Sequence, residues 1–287
     1  MGTIKLLDCT LRDGGHINQG YFGENAIRSI AQRLVDAKVD IVEVGFLWDD
    51  PCGTDIERFH TIEDVKRILP KEKGSSKYSL MADFIDLKNL EPNDGTIDIV
   101  RLSFKRHRLD WARKTAEVLR GKGYEFFINP VNCNVYTDEE YIEVLKVAND
   151  LHPYGFSIVD TFGVLRKRDL TRLYNLVENH LDKDIAIGLH LHENLGLSYA
   201  LAQHFIEIHR PTRDIVIDAS LLGLGREPGN LCTEQIMDHL KAEFDAPYRV
   251  EPALDAIDDY IAPIKVEHPW GYSIPYALSA KYHLHRT

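Results

Sequence analysis

Residues 184–192 read Asp-Ile-Ala-Ile-Gly-Leu-His-Leu-His and alternate large aliphatic side chains with small residues and histidines. This alternation predicts a β-strand, because successive side chains of a strand point to opposite faces. One face carries Ile185, Ile187, Leu189 and Leu191. The other carries Ala186, Gly188, His190 and His192. Small residues that lead to two histidines predict a barrel strand whose C-terminal end opens into a site.

Strand-like and helical patterns alternate along the rest of the chain, which favours a parallel α/β arrangement. The predicted strands are Ile4–Leu7, Ile41–Val44, Tyr78–Met81, Ile97–Leu102, Glu125–Ile128, Phe156–Val159, Ile185–His190 and Asp214–Ile217. The predicted helices are Glu24–Ala37, Ile62–Leu69, Arg108–Arg120, Asp138–Asp150, Arg168–Asn179, Leu197–His209 and Glu234–Ala242. Eight strands with seven or eight helices predict a (β/α)₈ TIM barrel. A doubly wound open sheet is the alternative, although no Gly-x-Gly-x-x-Gly follows the first strand.

The barrel pattern stops near residue 246. We therefore predict a TIM-barrel catalytic domain at residues 1–246 and a C-terminal extension at residues 247–287. The extension has a helical pattern at Asp255–Ile261 and an aromatic, proline-rich stretch at His268–Tyr276. We expect it to pack on the barrel or at a subunit interface, with a homodimer or higher homo-oligomer as the assembly.

The composition allows a large core and argues against several classes of partner. The chain has 287 residues, is 44% hydrophobic and carries a net charge of −11. An acidic surface does not favour nucleic acid or an anionic membrane. We see no apolar run long enough to span a bilayer and no secretory leader. The four cysteines lack Cys-x-x-Cys spacing, so we expect reduced thiols and a cytoplasmic protein.

Polar residues follow nearly every predicted strand, where a barrel carries its catalytic groups. They include Arg12, Asp13, His16, Glu43, Arg101, Ser103, Asn129, Asn132, Asp160, Thr161, His190 and His192. The stretch around Asp13 and the His190–His192 pair together supply a carboxylate and imidazoles, which suit Zn, Mn, Fe or Co. Two buried histidines satisfied by hydrogen bonds are the alternative. The glycine-rich loop at residues 223–230 could cradle a phosphate or make a tight turn.

Five motifs occur in order along the chain. They are Asp-x-Thr-Leu-Arg-Asp-Gly at 8–14, Val-Glu-Val-Gly at 42–45, Val-Asp-Thr-x-Gly at 159–163, His-x-His-x-Asn-x-Gly-Leu at 190–197 and Gly-x-Gly-x-x-x-Gly-Asn at 223–230. This set resembles the pyruvate-carboxyltransferase-like (DRE-TIM) metallolyase superfamily, which includes isopropylmalate and homocitrate synthases, HMG-CoA lyase and the 4-hydroxy-2-oxovalerate aldolases.

The resemblance implies roles for particular residues. Metal ligation is implied for Asp13, His190 and His192, with Asn230 close to the metal. Arg12 is implied to stabilise an enolate, and Glu43 to orient Arg12 and the metal shell. Thr161 either donates a further hydrogen bond or simply ends its strand. Substrate contacts are expected from Arg12, Arg101, Asp160, Gly223, Gly225 and Tyr272.

Position 16 distinguishes branches of this superfamily. Arg-Asp-Gly-Gly-His16 is similar to the aldolase branch, in which a histidine here serves as the base, whereas CoA-using branches carry Gln. Two features depart from that branch. The chain ends where those aldolases continue into a domain that docks an aldehyde dehydrogenase, so we do not expect that partner. Arg226 also stands where small residues are usual, so the substrate is expected to differ.

The function predicted from the resemblance is a metal-dependent aldolase that joins or cleaves a 2-oxo acid enolate, such as that of pyruvate, and an aldehyde. Mn²⁺ is the expected ion, with Mg²⁺, Co²⁺ and Zn²⁺ as alternatives. A Claisen-type acyltransferase or lyase that uses an acyl-CoA is the rival function. A barrel that binds a ligand without catalysis is a third class, which predicts an eroded metal set.

Overall fold

Eight parallel strands close into a barrel in the computed structural model, which describes residues 2–87, 90–226 and 228–282. The barrel strands are β1 (Ile4–Asp8), β2 (Ile41–Leu47), β4 (Lys77–Asp83), β5 (Ile99–Phe104), β6 (Glu125–Pro130), β7 (Gly155–Asp160), β8 (Ala186–Leu191) and β9 (Ile215–Ala219). A two-residue strand, β3 (Arg58–Phe59), pairs with the end of β2. β1 pairs with both β2 and β9, which closes the ring. The predicted TIM barrel is confirmed.

Helices follow the strands and cover the outside of the barrel. They are α1 (Thr10–Asn18), α2 (Glu24–Asp36), α3 (Ile62–Ile68), α4 (Leu109–Gly121), α5 (Asp138–Leu151), α6 (Lys167–His180), α7 (Ser198–Ile208), α8 (Thr233–Phe244), α9 (Val250–Ala256), α10 (Ala262–Glu267) and α11 (Ile274–Tyr282). The seven helices predicted from the sequence agree with α2 to α8 within two residues at either end. The polar stretch after β1, which the sequence did not predict as helical, forms α1.

Local sequence explains where two of these helices begin. Thr61 accepts a hydrogen bond from the Asp64 backbone N–H at 3.2 Å, and the Asp64 carboxylate accepts one from the Thr61 N–H at 3.0 Å. Thr137 and Glu140 make the same reciprocal pair at the start of α5. These capping boxes satisfy backbone donors that the first turn of a helix leaves unpaired.

The β8 strand shows how the barrel sorts its side chains. Ile187 and Leu189 point outward into the large core between strands and helices, as the alternation predicted. Ala186 points inward into a smaller cluster that fills the lower part of the barrel. This inner cluster consists of Leu7, Cys9, Ile41, Ile99, Phe127, Ala186 and Val216. The histidines lie above it, at the C-terminal ends of the strands.

The C-terminal helices pack on the barrel. α9 continues through a π-helical turn, Ile257–Ile261, into α10. Arg33 of α2 binds Asp259 at 2.6 Å, and the Trp270 indole donates to the Leu222 carbonyl at 3.0 Å. The last five residues of the predicted extension, 283–287, lie outside the described residues, and the division at residue 246 stays a prediction.

Helices that could cross a bilayer were sought throughout the described ranges. None there combines the length and apolar character that a membrane span requires.

Candidate active site

The first turn of α1 carries two of the predicted site residues at the mouth of the barrel. Arg12 and Asp13 are buried, and the Asp13 backbone N–H donates to the Cys9 carbonyl at 2.8 Å. Two glycines allow this helix to lie close to its neighbours. A Cβ at Gly14 would stand 2.5 Å from Leu224, and one at Gly15 would stand 2.1 Å from the Glu57 carboxylate.

Three predicted ligands, Asp13, His190 and His192, come together here. One ligand atom from each lies within 4.8 Å of the other two, and all three side chains are buried. His190 Nδ1 donates to Asp218 Oδ2 at 3.1 Å, and His192 Nδ1 donates to the Asp160 carbonyl at 3.0 Å. Each histidine therefore keeps Nε2 for a ligand, which is the arrangement that orients metal-binding histidines.

Buried polar atoms of this cluster that make no hydrogen bond in the described chain fit a divalent metal ion. His192 Nε2 is buried and has no hydrogen-bond partner within the described chain. Asn230 donates through Nδ2 to Asp13 Oδ2 at 2.6 Å, and its buried Oδ1 likewise finds no partner among those residues. Since buried polar atoms are normally paired, these atoms indicate a missing ligand. A carboxylate with two imidazoles suits Mn, Fe, Co or Zn.

The protonation states also suit a metal. Burial raises the pKa of Asp13, but the electrostatic effect of its neighbours, Arg12 first among them, outweighs it and holds that pKa well below its usual value. Burial, reinforced by His190, lowers the pKa of His192 to about 3. Asp13 is therefore an anion and His192 is neutral at pH 7, as metal ligands must be.

A buried charge network lies beside these ligands. Arg12 donates to Glu43 at 2.7 Å and also binds Asp13. Arg101 donates to Glu43 at 3.2 Å and to Asp218 at 2.5 Å. Burial raises the pKa of Asp218, yet Arg101 and His190 outweigh it and lower that pKa. The network fixes Arg12 next to Asp13 and fixes Asp218 behind His190.

A cavity of about 100 Å³ opens above the network. His16 lines it, with its Nε2 atom 3.9 Å from Asp13 Oδ1 and its ring edge-on to Phe46 at 5.8 Å between centroids. Burial lowers the pKa of His16, with Arg12 and Arg226 acting in the same direction and Asp13 against it. Thr161 also lines the cavity, and its hydroxyl accepts from the Asn132 N–H at 2.8 Å.

Four predicted substrate-binding residues lie apart from the cavity lining. The Asp160 carboxylate accepts from the backbone N–H groups of Val164 and Leu165, so it shapes the loop after β7. Gly225 packs against the Asp13–Asn230 pair, where a Cβ would stand 2.5 Å from Asp13 Oδ2. Gly223 lies beside the Asn230 carbonyl, and Tyr272 is 62% exposed. Their roles in substrate binding stay predictions.

The cavity also has lining residues that the sequence reasoning missed. Phe46 and Met81 supply apolar wall, and Asp83 supplies a carboxylate. Met81 and Asp83 belong to β4, a strand from which the sequence predicted no site residue. All three lie at C-terminal strand ends, so the strand-end rule that found the other residues applied to them as well.

Comparison with known proteins places the chain in a family. A family profile described as HMGL-like matches residues 102–258, more than half of the sequence. The chain belongs to the HMGL-like family.

Relatives of this HMGL-like chain include the 4-hydroxy-2-oxovalerate aldolase of Geobacillus genomosp. 3, which is 26% identical over 271 residues. That match covers 88% of this chain and 78% of the relative. The prediction of a carbon–carbon lyase is confirmed at the level of the family.

Two solved structures share the fold. The N-terminal domain of a candidate aldolase from Bacteroides vulgatus has a TM-score of 0.80 at 22% identity and covers 98% of this chain and 93% of its own. The hydroxymethylglutaryl-CoA lyase of Pseudomonas aeruginosa has a TM-score of 0.73 at 16% identity, with 98% of both chains covered. At these identities the likeness establishes the barrel, and the choice between the two chemistries depends on the site.

Proposed function

We propose that this chain is a cytoplasmic, Mn²⁺-dependent aldolase that cleaves or forms the C3–C4 bond of a 4-hydroxy-2-oxo acid. The products of cleavage are pyruvate, or a similar 2-oxo acid, and an aldehyde. The relatives named as 4-hydroxy-2-oxovalerate aldolases support this reaction. Free thiols at all four cysteines support a reducing compartment.

One observation carries the proposal: the Asp13, His190 and His192 cluster borders a small cavity that Arg12 and His16 also line. Asp13, His190 and His192 would hold the ion, with Asn230 beside it. A bound divalent ion polarises a keto oxygen and lowers the cost of enolate formation. A cavity of about 100 Å³ suits a small 2-oxo acid.

Side chains of the protein move the hydroxyl proton and stabilise the enolate charge. In cleavage, neutral His16 takes the proton of the C4 hydroxyl, the C3–C4 bond breaks, and its electron pair forms the enolate as the aldehyde leaves. Arg12 faces the developing enolate charge and is held by Glu43 and Asp13. The loss of such a donor costs about 3 kcal/mol of barrier.

The enolate then takes a proton at C3 to give pyruvate, and His16 releases its proton to solvent. Water that enters the cavity would supply the C3 proton, with a tyrosine of the C-terminal stretch as the alternative; of these, Tyr272 is exposed and does not line the cavity. Condensation runs through the same steps in reverse.

The acyl-CoA alternative has less support. A CoA enzyme needs basic side chains that bind the CoA phosphates, and the basic stretch after β5 is Lys105–Arg108. Arg106 already binds Glu140 at 3.1 Å, and Arg108 lies 4.0 Å above the Phe84 ring. Two of the basic side chains are therefore engaged within the protein.

Deuterium exchange into the pyruvate methyl group tests the proposal. The metal-free protein is loaded with Mn²⁺, Co²⁺ or Mg²⁺ in deuterated buffer, and the methyl signal is followed by NMR. We expect exchange that requires metal, proceeds without CoA and disappears in His192→Ala. His180→Ala changes an exposed histidine of α6 and is the control.

His16 is tested separately. His16→Ala should slow aldol cleavage by about 10²–10⁴-fold while methyl exchange continues, because His16 acts on the C4 hydroxyl. Exchange without metal, or release of CoA from an acyl-CoA with no exchange, would contradict the proposal.

A homo-oligomer stays part of the proposal. Val266, Ile274 and Leu278 expose apolar side chains on the C-terminal helices, and Tyr272 and Tyr282 are exposed beside them. Sedimentation of the purified chain measures the assembly directly.

A further inference from the structure

The loop after β9 holds an arginine over the cavity. The Arg226 backbone N–H points at Asp13 Oδ2 at 3.4 Å, and its carbonyl accepts from Gly229 at 3.1 Å. These bonds tie the main chain of Arg226 to a candidate metal ligand. The residue lines the cavity together with Arg12 and His16. Its charge lies close enough to His16 to act on that imidazole.

Three arginines line this cavity, and two of them are neutralised inside the protein. Arg12 binds Glu43 and Asp13, and Arg101 binds Glu43 and Asp218. Arg226 differs, because no carboxylate in the described ranges lies within ion-pair distance of its guanidinium. Asp83, which also lines the cavity, is exposed and does not pair with it.

A half-buried guanidinium without an anion is costly, because it has lost part of its hydration without gaining a partner. A ligand with a planar or tetrahedral oxyanion would provide that partner, since the guanidinium fork matches carboxylate and phosphate oxygens. An oxyanion bound in this cavity would therefore meet a guanidinium that has no carboxylate partner in the described ranges.

The cavity that Arg226 shares with His16 indicates which substrate would carry that charge. In the proposed reaction the 2-oxo acid lies at the Asp13, His190 and His192 cluster with Arg12. His16 acts on the oxygen of the aldehyde carbon. A substituent on the aldehyde carbon would then lie within the cavity that His16 and Arg226 both line.

We propose that the aldehyde substrate carries a carboxylate or a phosphate group and that Arg226 binds this group. The inference rests on the proposed function and specifies its second substrate. It also gives a role to the arginine of the glycine-rich loop that lines the cavity.

Matched pairs of aldehydes test the inference in the Mn²⁺-loaded enzyme with pyruvate. Succinic semialdehyde against butanal tests a carboxylate, and glyceraldehyde 3-phosphate against glyceraldehyde tests a phosphate. The measured quantity is kcat/KM for condensation. We expect at least one anionic aldehyde to exceed its neutral counterpart by about 10- to 100-fold, the range of one charged hydrogen-bonding interaction.

Variants assign that preference to Arg226. Arg226→Gln should reduce the anionic-to-neutral ratio to near one, mainly through KM for the aldehyde, and Arg226→Lys should restore part of it. Lys105→Gln removes a charge from an exposed residue outside the cavity and should keep the wild-type ratio. Thermal unfolding of each variant checks that the fold is retained.

Three results would overturn the inference. They are equal kcat/KM for neutral and anionic aldehydes, an unchanged ratio in Arg226→Gln, and a parallel loss of pyruvate methyl exchange in that variant. The last result would assign Arg226 to the 2-oxo acid. The absence of exchange in the wild-type protein would instead reject the proposed function itself, so the two failures are distinguishable.

Discussion

The lower and upper halves of the barrel interior are built on the same strands and have opposite character. The lower half is an apolar layer that includes Leu7, Ile99 and Phe127, closed below by Tyr154. The upper half holds the polar side chains of Glu43, Arg101, Asp218 and His190, all buried. The inward residue changes from Ile99 to Arg101 within two positions of β5. Alternate residues of one strand face the barrel interior, so the same face of β5 contributes to the packed core and, two residues later, to the reactive site.

The halves also differ in how completely their polar groups are paired. Buried atoms without a hydrogen-bond partner in the described chain include Glu43 Oε1, Arg101 Nε, Asp218 Oδ1, His192 Nε2 and Asn230 Oδ1. In the lower layer the Cys9 thiol donates to the Ala219 carbonyl at 3.2 Å, although the hydroxyl of Ser79, which pairs with Ile99 across the strands, has no partner in the described chain. The lower half thus stabilises the fold, whereas the upper half keeps bonding capacity for ligands, at a cost in stability.

Substitutions on β5 test this division with the largest expected effect. Arg101→Met should lower the free energy of unfolding by about 3–5 kcal/mol, because it leaves Asp218 buried without its arginine and Glu43 with Arg12 alone. It should also weaken Mn²⁺ binding, since Asp218 orients His190. Ile99→Ala should cost about 2–5 kcal/mol through a cavity and leave the Mn²⁺ affinity unchanged. Urea unfolding and calorimetric titration measure both quantities. Equal effects of the two variants on Mn²⁺ affinity would remove the distinction between the halves.

Glu57, next to α1, is a further buried polar side chain without a hydrogen-bond partner in the described chain. Burial raises the pKa of Glu57 to about 7 from a usual 4.5. The folded chain therefore binds a proton that the unfolded chain has lost between these pH values. Stability from this group is complete below about pH 4.5 and falls as the pH rises toward 7. The total change is on the order of 3 kcal/mol.

Glu57→Gln removes this titration. Relative to wild type, its free energy of unfolding should rise by that amount between pH 4.5 and pH 7 and then stay level. Denaturant unfolding across this range measures the difference, and Glu63→Gln, at an exposed position of α3, is the control. A constant difference between Glu57→Gln and wild type would show that Glu57 does not titrate there.

The two ends of the barrel also carry matched aspartates. Asp218 contacts His190 in the upper half, whereas Asp214 precedes β9 at the lower end and binds Lys5 at 2.9 Å. Asp218→Asn should raise the Kd for Mn²⁺ by about 10–100-fold, the usual effect of losing a group that orients a ligating histidine. Asp214→Asn should leave that Kd unchanged. Similar affinities for the two variants would mean that Asp218 does not act on the metal.

The fold was predictable because local patterns sufficed. The alternation around His190 identified β8 and the direction of its side chains, and helical periodicity located α2 to α8. The strands reach further toward their C-terminal ends than predicted, as β4 does to Asp83. At those ends site residues replace the hydrophobic pattern on which the prediction relied.

Other parts depend on contacts that a single sequence does not reveal. α1 contains Gly14 and Gly15, which each disfavour a helix by about 1 kcal/mol, and its packing against Leu224 and Glu57 offsets that preference. The Asp160 carboxylate accepts from two backbone N–H groups of the loop after β7, a contact that the strand pattern does not predict. The sequence did not predict α11, because this helix begins within the aromatic, proline-rich stretch. Pro275 lies in its first turn, where a helix tolerates proline.

The smallest expected effect concerns the glycine that lets α1 approach the upper half. Gly121, at the end of α4, has open space around its Cβ position within the described chain, so Gly121→Ala should stabilise the protein by about 0.5–1 kcal/mol. Gly15→Ala should destabilise the protein by about 1 kcal/mol, because the new methyl group would lie 2.1 Å from the Glu57 carboxylate. In a chain that also carries Glu57→Ala the penalty should vanish, since contacting residues are energetically coupled. Thermal unfolding of the four proteins in this double-mutant cycle measures the coupling. Additive effects would mean that Glu57 moves aside freely and does not hold α1 in place.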